Sequence, residues 1–291
     1  MHDIHNDFEI ENILEENRKR HEIINAPYNP VTGLGAVGER KKISIKDSPI
    51  GDMYLPVELI KENLFIRRLA KYGFKGYIIR FIKEVEYSEE ALNQLWIEFI
   101  KYRIIYDFEY WAYSFIFIKD KVSPKDIPFK LNRAQRRVLN KLEKLRKAGK
   151  PIKFILLKAR QWGGSTLVQI YMLWIMLVHR RNWNTVICGD VETQSRNVRA
   201  MITKALNKYP SYLLGETVKF TPFEGSSKNK VIQNTNCVVS IGSFQKPDTL
   251  RSGDISGAHL TEIGLWRATP GKKPEDLIQS ISGSIYDTAY T

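Results

Sequence analysis

The nine residues KARQWGGST, 158 to 166, bring together the groups that a polyphosphate site needs. Phosphate-binding loops of the pattern G-x-x-x-x-G-K-[ST] close on Gly-Lys-Ser or Gly-Lys-Thr. Here Gly163, Gly164 and Ser165 fill the last three places, and Lys158 stands in the first place instead of glycine. Two glycines let backbone N–H groups approach phosphate oxygens with no side chain between them. Ser165 occupies the position whose hydroxyl holds Mg²⁺ in such loops. A lysine at 158 starts on the opposite side of the turn, yet its long stem reaches across to β- and γ-phosphates. The rival reading is a Gly-Gly-Ser turn with Lys158 as a solvated surface residue.

The chemistry requires a second group. Hydrolysis of a nucleoside triphosphate on such a frame uses a carboxylate at the tip of a neighbouring strand, to hold Mg²⁺ or activate water. GAHLTEIGLW supplies Glu262 directly after an apolar run. Thr261 replaces the acidic residue usual before it, so at that place magnesium would be bound weakly or through water. The rival reading of Glu262 is a surface residue after a strand.

Elements of defined direction must position these groups. KFILL (153–157) is an apolar run expected to enter the loop as a strand, and Ser165 and Thr166 are expected to cap the helix that runs to His179. That helix offers unpaired N–H groups and a partial positive charge to an anion at its start. Arg180 and Arg181 complement its dipole at the other end. NTVICGD (184–190), CVVSIGS (237–243) and GAHLT (257–261) read as further strands. LNRAQRRVLNKLEKLRKAGK, VETQSRNVRAMITKALNKY and the stretch from PEDLIQSIS read as helices. The alternation predicts an α/β fold over residues 121–291, with a mostly parallel sheet sandwiched by helices. Residues 56–120 read as a helical N-terminal region, whose Tyr/Phe/Trp-rich part is expected to be core rather than a base-stacking platform. Residues 1–55 lack an apolar period and are rich in turn formers, which predicts an extended, loop-rich arm.

Bulk properties bound the function. The chain has 291 residues, 43% of them hydrophobic, enough for one large or two smaller domains. Its net charge of +13 favours a polyanionic partner such as nucleic acid, against a basic surface that serves solubility alone. Cys188 and Cys237 are the only cysteines, which excludes a disulfide framework and a Cys-x-x-Cys metal site. The five histidines are scattered without ligand spacing. The start of the chain has no signal-peptide pattern. The apolar run from Leu167 falls short of the ~20 residues that span a bilayer, so it reads as a buried helix and no membrane partner is expected.

KARQWGGST and LRSGDISGAHLTEIGLW together resemble the ATPase part of the large terminase subunit of tailed bacteriophages and prophages, over roughly residues 125–285. The resemblance implies a P-loop NTPase of the additional-strand (ASCE) class, with ATP and Mg²⁺ as ligands. It implies that Lys158 contacts the β/γ-phosphates and that Arg160 acts as sensor or in-cis arginine finger. Gln161, Gly163, Gly164, Ser165 and Thr166 would cradle phosphates and Mg²⁺, and Glu262 would activate water. Arg251 would serve as a coupling or sensor residue beside Thr261, and Gln135, in FKLNRAQRRVL, would read the adenine. Double-stranded DNA, a small terminase subunit, a portal protein and a homo-oligomeric ring are the implied partners, in the host cytoplasm and at the procapsid portal. The chain matches no nuclease part and stops where the family's next strand is expected, so an N-terminal fragment, split product or truncated remnant is the expectation. Two other functions stay open at this point: a nucleotide-binding assembly module without turnover, and another P-loop DNA-dependent ATPase or helicase.

Overall fold

The computed structural model describes residues 4–82, 88–120, 122–157, 161–247 and 254–285. The first segment is more ordered than its turn-rich sequence suggests. Helix α1 (Ile4–Asn25) precedes an antiparallel hairpin of β1 (Arg40–Ser44) and β2 (Asp52–Pro56), so residues 1–55 are not simply an extended arm. The helix has no apolar period because its described side chains face solvent, with Ile10, Ile13 and Leu14 all exposed. Good helix formers alone carried that signal.

Helices α2 (Val57–Glu62), α3 (Leu64–Phe81), α4 (Glu89–Tyr106) and α5 (Phe108–Phe115) follow. A small antiparallel pair, β3 (Phe117–Lys119) and β4 (Asp126–Pro128), leads to α6 (Arg133–Lys147). The aromatic run is core: Phe108 meets Tyr171 and Trp174 edge-on at ring-centroid distances of 5.4 Å each. Two indole N–H groups cross the expected boundary near residue 120, Trp111 donating to the Tyr209 hydroxyl (3.0 Å) and Trp174 to the Ile104 carbonyl (2.8 Å). One apolar core thus runs from Ile45 through to Ile241 and is not divided at that boundary.

A buried ionic knot fastens the hairpin to these helices. Arg40 of β1 donates to both oxygens of Asp107 (3.0 and 2.9 Å), and Arg103 donates to the same carboxylate at 3.1 Å. Arg136 of α6 reaches Glu109 at 3.0 Å. Arg103, Asp107 and Glu109 are at most 1% exposed, so these charges persist because each faces an opposite charge.

Helix α7 (Gly164–Trp174) continues as a wider π-turn, Ile175–His179. Beyond it lie β5 (Thr185–Gly189), α8 (Glu192–Leu206), β6 (Phe220–Phe223), β7 (Ser226–Ile232), β8 (Cys237–Ser243), β9 (Gly257–Leu260) and α9 (Pro274–Ser284). The strands form one five-stranded sheet in the order β6-β7-β8-β5-β9. It is a mixed sheet: β5 runs parallel to β8 and β9, whereas β6–β7 and β7–β8 are antiparallel. Glu224 and Gly225, both at positive φ (48° and 74°), make the tight turn that joins β6 to β7. Alternation along β5 serves both faces, Ile187 lying in the main core and Val186 and Cys188 in a second one with Trp266, Leu277 and Ile281.

Residues 153–157, expected as a strand, are not one. They lie outside every sheet, and Ile155 and Leu157 are 98% and 100% exposed. A strand needs a hydrogen-bonded neighbour; among the described residues the sheet ends at β9, which pairs with β5 alone. Among the described residues no helix is long and apolar enough to cross a membrane, and the apolar run from Leu167 is the buried helix its length predicts.

Candidate functional site

Left-handed backbone shapes the loop before α7: Gln161 has φ 64° and Gly163 φ 85°. Gly163 is the N-cap of the helix, and its carbonyl accepts the first intrahelical bond, from Leu167 N at 3.1 Å. The N–H groups of Gly164, Ser165 and Thr166 precede that bond, which places them among the donors a helix start offers to an anion. Ser165 and Thr166, expected as caps, are therefore first-turn residues instead. Gly163 takes the capping place because only glycine enters this conformation without cost. The Thr166 hydroxyl lies 3.7 Å from the Met201 sulfur, turned toward α8.

The start of α6 grips this loop. Asn132 and Gln135 form a capping box, Gln135 N donating to Asn132 Oδ1 and Asn132 N to Gln135 Oε1, both at 2.9 Å. The remaining polar ends hold the turn: Asn132 Nδ2 donates to the Trp162 carbonyl (3.0 Å) and Gln135 Nε2 to the Gly163 carbonyl (2.9 Å). Gln135, singled out above as an adenine reader, is 4% exposed and acts here as a clamp on the loop. Trp162 packs against the main core, which anchors the rear of the turn. A Cβ on Gly163 would lie 2.7 Å from Gln135 Nε2, at a φ that other residues rarely adopt. Gly163→Ala is therefore expected to lower stability by about 1–3 kcal/mol in thermal unfolding. An unchanged Tm would mean that the clamp yields freely.

Glu262 sits immediately beyond β9, itself in the left-handed region (φ 56°) and exposed. Its Oε2 accepts from Gln194 Nε2 at 3.0 Å. Gln194 Oε1 in turn accepts from Asp190 N at 2.9 Å, so one amide side chain joins the end of β5 to the carboxylate after β9. Buried Ser195 fixes this corner, accepting from Gly189 N (2.7 Å) and donating to the Gly242 carbonyl (2.6 Å). Thr261 is 7% exposed, and its N–H donates to the Cys188 carbonyl at 2.8 Å. Gln194 escaped the sequence reading because its task arises only once α8 is docked. Asp190, a second carboxylate at the strand ends, was also missed, although its place directly after an apolar strand was a usable signal.

The loop and Glu262 occupy the same end of the sheet. The far end of the α7 segment abuts the strand starts, with the Cys237 thiol directed at the Met176 carbonyl (3.8 Å) and the Trp183 ring against Gly257. Gln169 and His259 meet at 2.6 Å between helix and strand. From Gln169 back to Gly164 is ~7.5 Å at a helical rise of ~1.5 Å per residue, and from His259 on to Glu262 is ~10 Å at ~3.3 Å per residue. The two groups thus stand within a few ångströms of the same level, at the carboxyl ends of the parallel strands. Ligands of open α/β sheets bind there. Lys158, Arg160 and Arg251 lie outside the described residues.

The donor set suits a hard cation bridged to phosphate. Mg²⁺ takes oxygen ligands, commonly one or two protein groups with waters and phosphate oxygens, and the Ser165 hydroxyl and the Glu262 carboxylate are of that kind. Among the described residues no group of three or more His, Cys, Asp or Glu side chains is placed to hold a metal unaided.

Fold and site together define a mixed α/β protein with a glycine-turned helix start and a strand-end carboxylate on one edge of its sheet. Among solved structures, the crystal structure of the HK97 bacteriophage large terminase is similar to this chain, with 20% identity and a TM-score of 0.48 over 62% of the residues. The chain spans 36% of that protein's length. No family model and no curated protein sequence matches the chain.

Proposed function

We propose that the chain binds ATP with Mg²⁺ at the 158–166 loop and hydrolyses it, as the motor part of a terminase-like machine that moves double-stranded DNA. The observation that supports this best is the common level of the α7 start and Glu262 at the strand ends. The N–H groups of Gly164, Ser165 and Thr166 would receive phosphate oxygens, with Gln161 and Gly163 shaping the turn that brings them there. Lys158 would neutralise the β/γ-phosphates, and Arg160 would meet charge developing on the transferred group. Mg²⁺, held by Ser165 with Glu262 nearby and Thr261 reached through water, would supply charge neutralisation between the phosphates. Glu262 would accept the proton of the attacking water as the bond to the γ-phosphorus forms and the bond to the β,γ-bridging oxygen breaks. Gln135 would present its remaining amide hydrogen to the base while holding Gly163, and Arg251 would couple the site to movement. A ring of such chains, a small subunit and a portal in the host cytoplasm complete the proposal.

Phosphate release measured with and without duplex DNA tests it. The expected result is DNA-stimulated release that Lys158→Ala removes, with ATP binding weakened at least about tenfold, the loss of one charge-assisted phosphate contact of ~1.4 kcal/mol or more. Release unaffected by Lys158→Ala would overturn the assignment. A second reading, a nucleotide-binding module without turnover, draws support from residues 153–157, which give the loop no strand at its front. It expects ATP binding without release.

A further inference from the structure

The surface of α3 carries a group of cations that rest on aromatic rings. Between Leu64 and Phe81 the helix has Arg67, Arg68, Lys71, Lys75 and Arg80 and no acidic residue. Gly73 interrupts it with φ 71° and ψ 177°, so the two halves meet at a bend. In a straight helix residues 72 and 81 would stand ~13 Å apart, yet the Tyr72 and Phe81 rings are 5.6 Å apart. The bend therefore builds a cluster. Arg68 lies over Phe81 (4.5 Å), while Arg80 (4.8 Å) and Lys71 (5.1 Å) lie over Tyr72. Lys71, Arg80 and Phe81 are exposed. Lys42, Lys147, Lys204 and Lys228 elsewhere pair with carboxylates; among the described residues no carboxylate pairs with Arg68, Lys71 or Arg80.

We propose that the bent α3 surface, with Arg68, Lys71 and Arg80 held on Tyr72 and Phe81, is a docking site for the phosphate backbone of double-stranded DNA. Charge complementarity selects a polyanion. The choice of duplex over single strand follows from the rings, which lie beneath Arg68, Lys71 and Arg80 and against each other and Tyr77, so they present charge rather than a bare face for a base. Cations resting on aromatic faces are already partly ordered and surrender less freedom on binding. Helix α6 also exposes Arg137, Lys141 and Lys144, with no ring beneath them among the described residues, and serves as the control surface. The proposal does not depend on nucleotide binding at the loop, because the measurement is made without ATP.

The test is binding of the full chain to a short fluorescent DNA duplex of mixed sequence, followed by anisotropy across a salt series. The triple variant Arg68→Gln, Lys71→Gln, Arg80→Gln is compared with Arg137→Gln, Lys141→Gln, Lys144→Gln, which loses equal charge. The α3 variant is expected to bind at least ~10-fold more weakly, with a log–log salt slope shallower by about 2–3, and the α6 variant much less so. Equal losses in both, no loss in the α3 variant, or no duplex binding by the parent would overturn the proposal. So would attachment to phosphatidylserine–phosphatidylcholine vesicles that the α3 variant loses, without duplex binding. Should the triple variant fail to fold, Lys71→Gln alone is expected to reduce the slope by about 1.

Discussion

Glu262→Gln is expected to leave ATP binding within a few-fold of the parent while phosphate release falls about 10²–10⁴-fold, the usual worth of a positioned general base. The amide keeps the shape of the side chain and still offers an oxygen to Gln194 Nε2, so the corner where α8 meets β9 is preserved. What disappears is the capacity to take a proton from water. The left-handed backbone at Glu262 strengthens the expectation, because a non-glycine residue held there by its surroundings is often held for function. Comparing ATP affinity with single-turnover release separates the two effects. Undiminished release would remove Glu262 from the chemistry, and a parallel loss of binding would make it a structural group.

Asp107→Ala is expected to be the most damaging single change to stability, by about 3–5 kcal/mol, because it leaves Arg40 and Arg103 buried without their shared counter-charge. The loss should appear as a lowered urea midpoint at neutral pH. Its pH dependence has a definite sign. Burial pushes the Asp107 carboxyl up, but Arg40 and Arg103 outweigh that and hold it below the usual carboxylate range. A depressed folded pKa stabilises fully above the unfolded value of about 3.9 and is lost as pH falls through the lower folded value. The gap between parent and variant should therefore narrow in strong acid. Glu109 is shifted upward by burial against the pull of Arg40, with the Asp107 charge adding to the rise; removing Asp107 relieves part of that shift, so the variant curve carries a smaller Glu109 contribution of opposite sense. A gap that stays constant with pH would show that Asp107 acts through packing instead of charge.

Much of the sheet and its helices was legible because period and punctuation agreed. CVVSIGS became β8 residue for residue, and the helix read in LNRAQRRVLNKLEKLRKAGK ends at Lys147, with Gly149 at φ 64° beyond it. Where the reading failed, a partner was involved. KFILL has the apolar content of a strand but lies outside the sheet, and composition cannot report whether a ladder is available. The β6–β7 hairpin was overlooked although Glu-Gly marks its turn, because Pro222 and alternate lysines obscured the strand pattern. In the site, glycines and the strand-end glutamate were readable from type and position. Gln194, Ser195 and the clamp by Asn132 and Gln135 join residues from different elements, which spacing along one segment does not encode.

The indole bonds of Trp111 and Trp174 bear on how this protein should be handled. Excising the first 120 residues would not liberate a smaller working unit. It would strip the lid from Tyr209 and Tyr171, open the aromatic seam behind α7 to water, and leave the glycine turn at residues 161–164 standing on a helix that had lost its backing.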